Sequence, residues 1–250
     1  MTRPYPYSSL VAALGFSLPL VASPRDAAAI RPFITDDARV VGVGLAQLET
    51  WVQVDETGFQ HWLLPAFGPT NWLELSAGGF HGTVEEGSEQ AYGIGGPVFQ
   101  GKALLREAVD GGWPGLALAA GTLLARDHRS FEPSQAAWFG YGGTTASLFQ
   151  EALLIHANVG LAYAGANDKV TFTAGVGSSA RLTERWQAMA EVVRGDAYAG
   201  TEDGAVQGGL RFVFSESFQM DATLGGGIWG ADRRPLWATL GMRLVTNRLW

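Results

Sequence analysis

Apolar and polar residues alternate with a period of two along most of the chain beyond residue 44. Between residues 153 and 163 the odd-numbered positions form one apolar face, from Leu153 to Tyr163, and His156 and Asn158 lie on the opposite face. Between residues 170 and 182 the even-numbered positions are mostly apolar, and Thr, Gly, Ser and Arg181 oppose them. Because successive side chains of a strand point to opposite faces, this pattern predicts β-strands.

The alternating segments combine a smooth apolar face with a face of Gly, Thr and Ser that carries isolated charges. A tilted strand needs about ten residues to cross a bilayer, and open sheet edges are not tolerated in lipid. We therefore predict an all-β fold, a transmembrane antiparallel β-barrel of twelve strands with both termini periplasmic. The predicted strands are 44–54, 59–69, 71–83, 90–107, 113–125, 136–149, 152–165, 169–182, 186–198, 205–215, 219–229 and 235–250.

The connections between these strands alternate in character. Tight turns such as 69–70, 150–151 and 216–217 alternate with more polar and often longer connections such as 84–89 and 127–134. Transmembrane barrels of this class have short periplasmic turns and longer exterior loops. We therefore assign the tight turns to the periplasm and the other connections to the exterior.

The N-terminus has the pattern of a secretion signal. Arg3 precedes an apolar run over residues 10–22, which is too short to span a membrane as a helix, and three alanines at 27–29 suit signal peptidase. We predict that residues 1–29 are a signal peptide that is removed, that 30–43 form an N-terminal periplasmic or lumen segment, and that 44–250 form the barrel. The predicted location is the outer membrane of a Gram-negative bacterium.

Composition excludes several classes of protein. The chain has 250 residues, 34 glycines, no cysteine and a net charge of −7. Hydrophobic residues at 47% argue against disorder, the absence of cysteine excludes disulfide scaffolds and thiolate metal sites, and the acidic balance argues against nucleic acid as a partner. No cofactor and no metal site is predicted, since the glycine-rich stretches lack a following helix start or lysine.

Tryptophan placement gives a second indication of a membrane barrel. In this strand map Trp72, Trp113, Trp186 and Trp250 fall at periplasmic strand ends, and the remaining five fall towards the outer ends. Two aromatic belts at the two membrane interfaces are typical of such barrels. The predicted partners are outer-membrane lipid and lipopolysaccharide, a small-molecule solute, and the barrel-insertion machinery through the terminal Trp250.

The inward faces of the last strands carry charges of alternating sign. The predicted lumen ring consists of Arg181, Glu191, Arg211, Asp221, Arg243 and Glu49. Glu74 and Lys102 are predicted as a second lumen pair. Two functions fit the ring: a structural ladder of cross-strand ion pairs, or a constriction whose transverse field selects solutes.

The segment before the first strand carries Arg31, Asp36, Asp37 and Arg39. One hypothesis is that it folds into the periplasmic mouth as a plug or gate, with Arg31, Asp36 and Asp37 as its charged residues. A second hypothesis is a mobile terminal tail, because short termini are often disordered.

An enzymatic function is tested against the polar side chains of the central strands. His156 and Asn158 share one face and Ser147 lies on the preceding strand, so a lipid hydrolase is the weaker alternative. The chain has no G-x-S-x-G nucleophile elbow, and His61, His81 and His128 are far apart in sequence. We therefore predict no catalytic residues and a protein that is not an enzyme.

Three short stretches carry a family resemblance. The sequence RPFITDDA at 31–38, followed by QLETW at 47–51 and GPTNWLEL at 68–75, resembles the outer-membrane family labelled "MetA-pathway of phenol degradation". The resemblance implies an outer-membrane channel or uptake protein for aromatic or other small hydrophobic compounds. The function predicted is passive passage of small molecules. Two different functions compete with it: a non-transporting structural or partner-binding barrel, and a soluble, lipocalin-like exported protein.

Overall fold

A computed structural model describes residues 33–86, 89–124, 136–165, 168–196, 201–230 and 233–249. Twelve strands form one closed antiparallel barrel in which each strand pairs with its sequence neighbours and β1 pairs with β12. The strands are β1 (Ala46–Asp55), β2 (Gly58–Phe67), β3 (Leu73–Glu86), β4 (Glu89–Arg106), β5 (Gly115–Leu123), β6 (Ala137–Leu148), β7 (Leu153–Ala164), β8 (Lys169–Arg181), β9 (Trp186–Asp196), β10 (Thr201–Ser215), β11 (Phe218–Trp229) and β12 (Trp237–Val245). The predicted all-β barrel of twelve strands is confirmed, and every strand begins within four residues of its predicted start.

Side chains alternate between the barrel interior and its outer surface. In β12 the residues Trp237, Thr239 and Arg243 are buried inside, while Leu240 and Leu244 are exposed on the outside. The same alternation places apolar residues outwards along the other strands, because a closed sheet directs every second side chain to each face. None of the described residues forms a helix long and apolar enough to cross a membrane.

The barrel has two ends that differ in what they hold. The turn end carries the connections β2–β3, β4–β5, β6–β7, β8–β9 and β10–β11, together with the start of β1 and the end of β12. The loop end carries the remaining connections. The predicted contrast between tight turns and longer loops is weak, because β1–β2 and β3–β4 close over two residues at the loop end while β4–β5 uses residues 107–114. Much of the loop predicted at 84–89 is instead a continuation of β3 and β4.

Tryptophan placement differs from the prediction. Trp51 and Trp237 are buried inside the barrel, and Trp62 points inwards opposite Trp51. Trp51 also lies in the middle of its strand and not at an end. Strand parity explains the difference, since Trp51 shares the inward face with Glu49 and Gln47. The exposed tryptophans are Trp72, Trp113, Trp138, Trp186 and Trp229, and Trp250 lies outside the described residues.

Candidate functional site in the lumen

Residues 33–45, here called the lumen segment, return from the start of β1 into the barrel. Phe33, Thr35, Asp37 and Ala38 are each at most 2% exposed. Phe33 contacts Met189 of β9, and Ile34 packs on a cluster formed by Val193, Ala205 and Trp237. At the turn end, the Gly44 amide donates to the Gly68 carbonyl. The lumen segment therefore extends from the turn end to about the middle of the lumen.

Side chains of four strands accept hydrogen bonds from the main chain of the lumen segment. Glu191 of β9 accepts from the amides of Ile34 at 2.9 Å and Thr35 at 2.8 Å. Asn158 of β7 accepts from the Asp36 amide and donates to the Asp36 carbonyl at 2.9 Å. Thr145 of β6 accepts from the Ala38 amide, and Glu74 of β3 accepts from the Val41 amide, both at 2.8 Å. The segment is thus held mainly through its backbone.

The carboxylates of the lumen segment meet one buried cation. The Lys102 ammonium lies 3.0 Å from Asp36 Oδ1 and 3.6 Å from Asp37 Oδ1. Tyr141 of β6 donates its hydroxyl to Asp36 Oδ2 at 2.6 Å. A hydrogen bond to a charged group is worth about 1.5–3 kcal/mol, so Lys102 and Tyr141 add a charge-specific contact to the backbone contacts.

Two inward-facing glycines of β8 leave room for the lumen segment. A Cβ atom at Gly175 would lie 2.5 Å from the Thr35 hydroxyl, and one at Gly177 would lie 3.4 Å from the Phe33 ring. Because a larger residue at Gly175 would occupy the position of Thr35, the sequence of β8 itself creates the groove. Below this groove, Asp36, Glu49, Glu74 and Lys102 border a cavity of about 10 Å³, which is room for roughly one water molecule.

The predicted charge ring lies largely in the lumen. Five of its six members are at most 5% exposed and share the inward face: Glu49, Glu191, Arg211, Asp221 and Arg243. Arg211 and Asp221 stand opposite each other in the β10–β11 register and form an ion pair at 3.5 Å. Arg243 lies opposite Glu49 and donates from Nε to Gln47 at 3.0 Å. Four of these members form two local groups: Arg211 with Asp221, and Arg243 with Glu49.

Three predicted pairings take a different form in the structure. Arg181 lies at the turn end, exposed, and its guanidinium donates to the Gln150 carbonyl at 3.1 Å; it does not reach Glu191. Glu191 bonds the lumen segment and Gln207. Glu74 and Lys102 stand opposite each other in the β3–β4 register, but both side chains bond the lumen segment. Arg31 lies outside the described residues.

The turn between β6 and β7 links the lumen segment to the barrel rim. Arg39 lies 3.8 Å from Glu151. Phe149, Gln150 and Glu151 all have left-handed backbones, with φ of 57°, 58° and 60°. The hydrogen bonds that the Asp110 carboxylate accepts from the amides of Gln150 and Glu151 stabilise this turn, and they hold the pKa of Asp110 below its usual range.

Sequence reasoning missed Thr145, Tyr141 and Gln207 as lumen contacts. All three lie at inward positions of predicted strands, so strand parity could have placed them in the lumen. Parity could not have paired Thr145 with Ala38 or Tyr141 with Asp36, since these contacts join residues more than 100 positions apart in the chain.

In the loop-end half of the lumen, the wall formed by β1, β2 and β3 carries apolar side chains, whereas β8 and β12 present threonines there. Trp51, Trp62 and Phe80 stack in series, with ring centroids 5.3 Å and 4.3 Å apart. Leu64, Val98, Leu123 and Ala137 pack with them, and this set is called the aromatic cluster below. Trp51 and Phe80 are buried in this cluster, and Trp62 is its partly buried member.

The three residues considered for a catalytic set, His156, Ser147 and Asn158, bond to other residues and not to one another. His156 is fully buried and its Nδ1 lies 3.0 Å from the Thr145 hydroxyl. Ser147 donates to Asp110, and Asn158 bonds the lumen segment. His61 and His81 meet at 2.9 Å on the outer surface, although they are far apart in sequence, and His128 lies outside the described residues. Within the described ranges, no group of three or more His, Asp or Glu side chains could hold a metal ion.

Solved structures that superpose on this chain include outer-membrane porins and channels. A KdgM porin superposes with a TM-score of 0.59 at 9% identity, over 80% of this chain and 99% of that chain. The COG4313 outer membrane channel from Pseudomonas putida F1 superposes with a TM-score of 0.57 at 9% identity, over 84% of this chain and 98% of that chain. The fold is therefore a β-barrel of the outer-membrane porin class.

Family comparison adds a narrower assignment. The model described as uncharacterised conserved protein UCP029691 matches residues 17–246, and the chain belongs to that family. No protein with a curated description matches the sequence.

Proposed function

We propose that this protein is an outer-membrane channel for passive passage of small molecules, and that the lumen segment closes its turn-end half. The observation that carries the proposal is how the lumen is filled. Side chains of the barrel wall leave a groove, and a separate stretch of chain occupies it through reversible hydrogen bonds. A barrel with a purely structural role does not need its lumen to be filled by a segment that reversible hydrogen bonds hold in place.

The experiment is single-channel conductance in planar bilayers, with two refolded proteins. One begins at residue 30, and the other lacks residues 30–40. We expect the deletion to raise the conductance, because it removes the main-chain contacts to Glu191, Asn158 and Thr145. Heat-dependent migration on electrophoresis verifies that both barrels are folded. Folded protein that stays silent in both forms contradicts the channel and leaves the non-transporting barrel.

The aromatic cluster supports a narrower proposal about the solute. Trp51, Trp62 and Phe80 present stacked rings along one wall of the loop-end half. Such a wall suits aromatic or other small hydrophobic compounds, as the resemblance to the phenol-degradation family implies. Adding a phenol to open channels should produce brief current blocks that a Trp62→Ala variant shortens. Blocks of equal length in both proteins would argue against contact with these rings.

Location and partners are further parts of the proposal. Twelve outward apolar strand faces suit outer-membrane lipid, with lipopolysaccharide at the exterior side and the termini in the periplasm. Trp250 is the proposed signal for the barrel-insertion machinery. A protease added from one side of a vesicle, with cleavage sites introduced in a turn or a loop, tests this orientation.

A further inference from the structure

The lumen wall holds residues 34–41 in the manner of a peptide receptor. Glu191, Asn158, Thr145 and Glu74 bond backbone amides, which every amino acid except proline can offer. Asn158 bonds both the amide and the carbonyl of Asp36, as the edge of a β-strand would. The contacts therefore recognise the main chain of a peptide, largely without regard to its side chains.

One position of this site selects for charge. Lys102 is 3% exposed, and its ammonium contacts the carboxylates of both Asp36 and Asp37. Tyr141 donates to the same Asp36 carboxylate. Beside the site, Gly175 and Gly177 leave space where any side chain would collide with the segment or press against it. A carboxylate at this point of the bound peptide is thus matched by a buried cation and a hydroxyl.

Resting on the channel function proposed above, we propose that the lumen contains a binding site for short acidic peptides, which the chain's own residues 33–41 occupy at rest. An incoming peptide with a carboxylate side chain takes the place of the lumen segment on Glu191, Asn158 and Lys102. The site therefore binds peptides bearing Asp or Glu, and binding of such a peptide coincides with release of the lumen segment.

The test uses the full chain, which has no cysteine, so that one introduced thiol reports on the lumen segment. Ala38 is 1% exposed, and an Ala38→Cys variant should react slowly with a water-soluble maleimide. A tethered segment competes at an effective concentration in the millimolar range, so the segment is weakened by a second substitution, Asp36→Asn. This change leaves every wall residue of the site intact.

Two capped peptides are then added in detergent solution. One has the sequence of residues 33–41, and the other differs only by Asp36→Asn. We expect the first to accelerate labelling of the introduced thiol about tenfold more than the second at equal concentration, the ratio expected for a hydrogen-bonded charge. Adding Lys102→Gln to the protein should abolish the difference between the two peptides.

A thiol at Ser217, in the exposed turn between β10 and β11, serves as the matched control. It should react at one rate whichever peptide is present, and heat-dependent migration verifies folding of each variant. Equal acceleration by both peptides, or none by either at saturating concentration, overturns the proposal.

This readout requires no ion current. If neither peptide accelerates thiol labelling but conductance steps are observed, the peptide site is disproved and the channel function stands. If the acidic peptide accelerates labelling but no conductance is observed, the binding site stands and the channel function is disproved.

Discussion

In the turn-end half of the lumen, the space is occupied by a segment that is held by hydrogen bonds to Glu191, Asn158 and Glu74. In the loop-end half, the space is narrowed by Trp51, Trp62 and Phe80, which belong to the strands of the barrel wall. Each hydrogen bond in the first half can be exchanged for one to water or to a ligand at a net cost of about 0.5–1.5 kcal/mol, although release of the segment also breaks the apolar contacts of Phe33 and Ile34. Apolar packing in the second half cannot be exchanged without moving a strand. The first half is therefore suited to gating and the second to a fixed constriction.

The largest expected effect comes from filling the groove that holds the lumen segment. Gly175→Leu would place a side chain against Thr35, because even a Cβ would lie 2.5 Å from its hydroxyl. We expect this variant to conduct with its turn-end half open, as measured in planar bilayers. Gly142→Leu is the matched control, since a Cβ there meets only Leu118 at 3.7 Å. Equal conductance of the two variants would mean that the segment does not close the channel.

A smaller effect is expected from removing the cation that the segment's carboxylates contact. Lys102→Gln loses the two charged hydrogen bonds to the Asp36 carboxylate, so occupancy of the closed state should fall by about tenfold or more. Open-state dwell times in single-channel records measure this change. The corresponding substitution Lys169→Gln, at an exposed position, should leave the records unaltered. Identical records for both lysine variants would remove the charge contact from the gating mechanism.

A conditional effect is expected in the loop-end half. Trp62→Ala removes stacking with Trp51 and Phe80 and should lower the free energy of unfolding by about 3 kcal/mol in urea titrations. Because the two constrictions lie in series, conductance should change only when Gly175→Leu has opened the turn end. If Trp62→Ala alone raises the conductance while the lumen segment is still in place, the aromatic cluster, and not the lumen segment, limits the current.

The smallest effect is local to the turn between β6 and β7. The lowered pKa of Asp110 means that its carboxylate stabilises this turn above the unfolded-state pKa and that the stabilisation disappears as the pH falls through the folded-state pKa. At pH 6, Asp110→Asn should therefore speed amide hydrogen exchange at Gln150 and Glu151. The difference should begin to shrink as the pH falls below about 4, the ordinary pKa of Asp, and should vanish only below the lower folded-state pKa. If the difference in hydrogen exchange persists in acid, it arises from the different hydrogen-bonding geometry of the Asn side chain and not from the lost charge.

Prediction from the sequence succeeded where the two-residue alternation of side chains along a strand decides the structure. Alternation placed Glu49, Arg211 and Arg243 on inward positions, and it gave the starts of the strands. It failed for Trp51 and Trp237, because these were assigned by their height along the strand when parity decides which face they occupy. It also placed Arg181 in the ring, although strand ends at the turn are open to solvent.

The sequence by itself determined a barrel of alternating strands and a lumen that carries charge, because both follow from which residue occupies every second position. Only the tertiary structure decided that residues 33–45 lie in that lumen and that Glu191 and Lys102 bond to them. The physical reason is closure: strands β3, β4, β6, β7 and β9 surround one axis only once β1 has paired with β12. No local pattern encodes contacts that exist only inside the closed sheet.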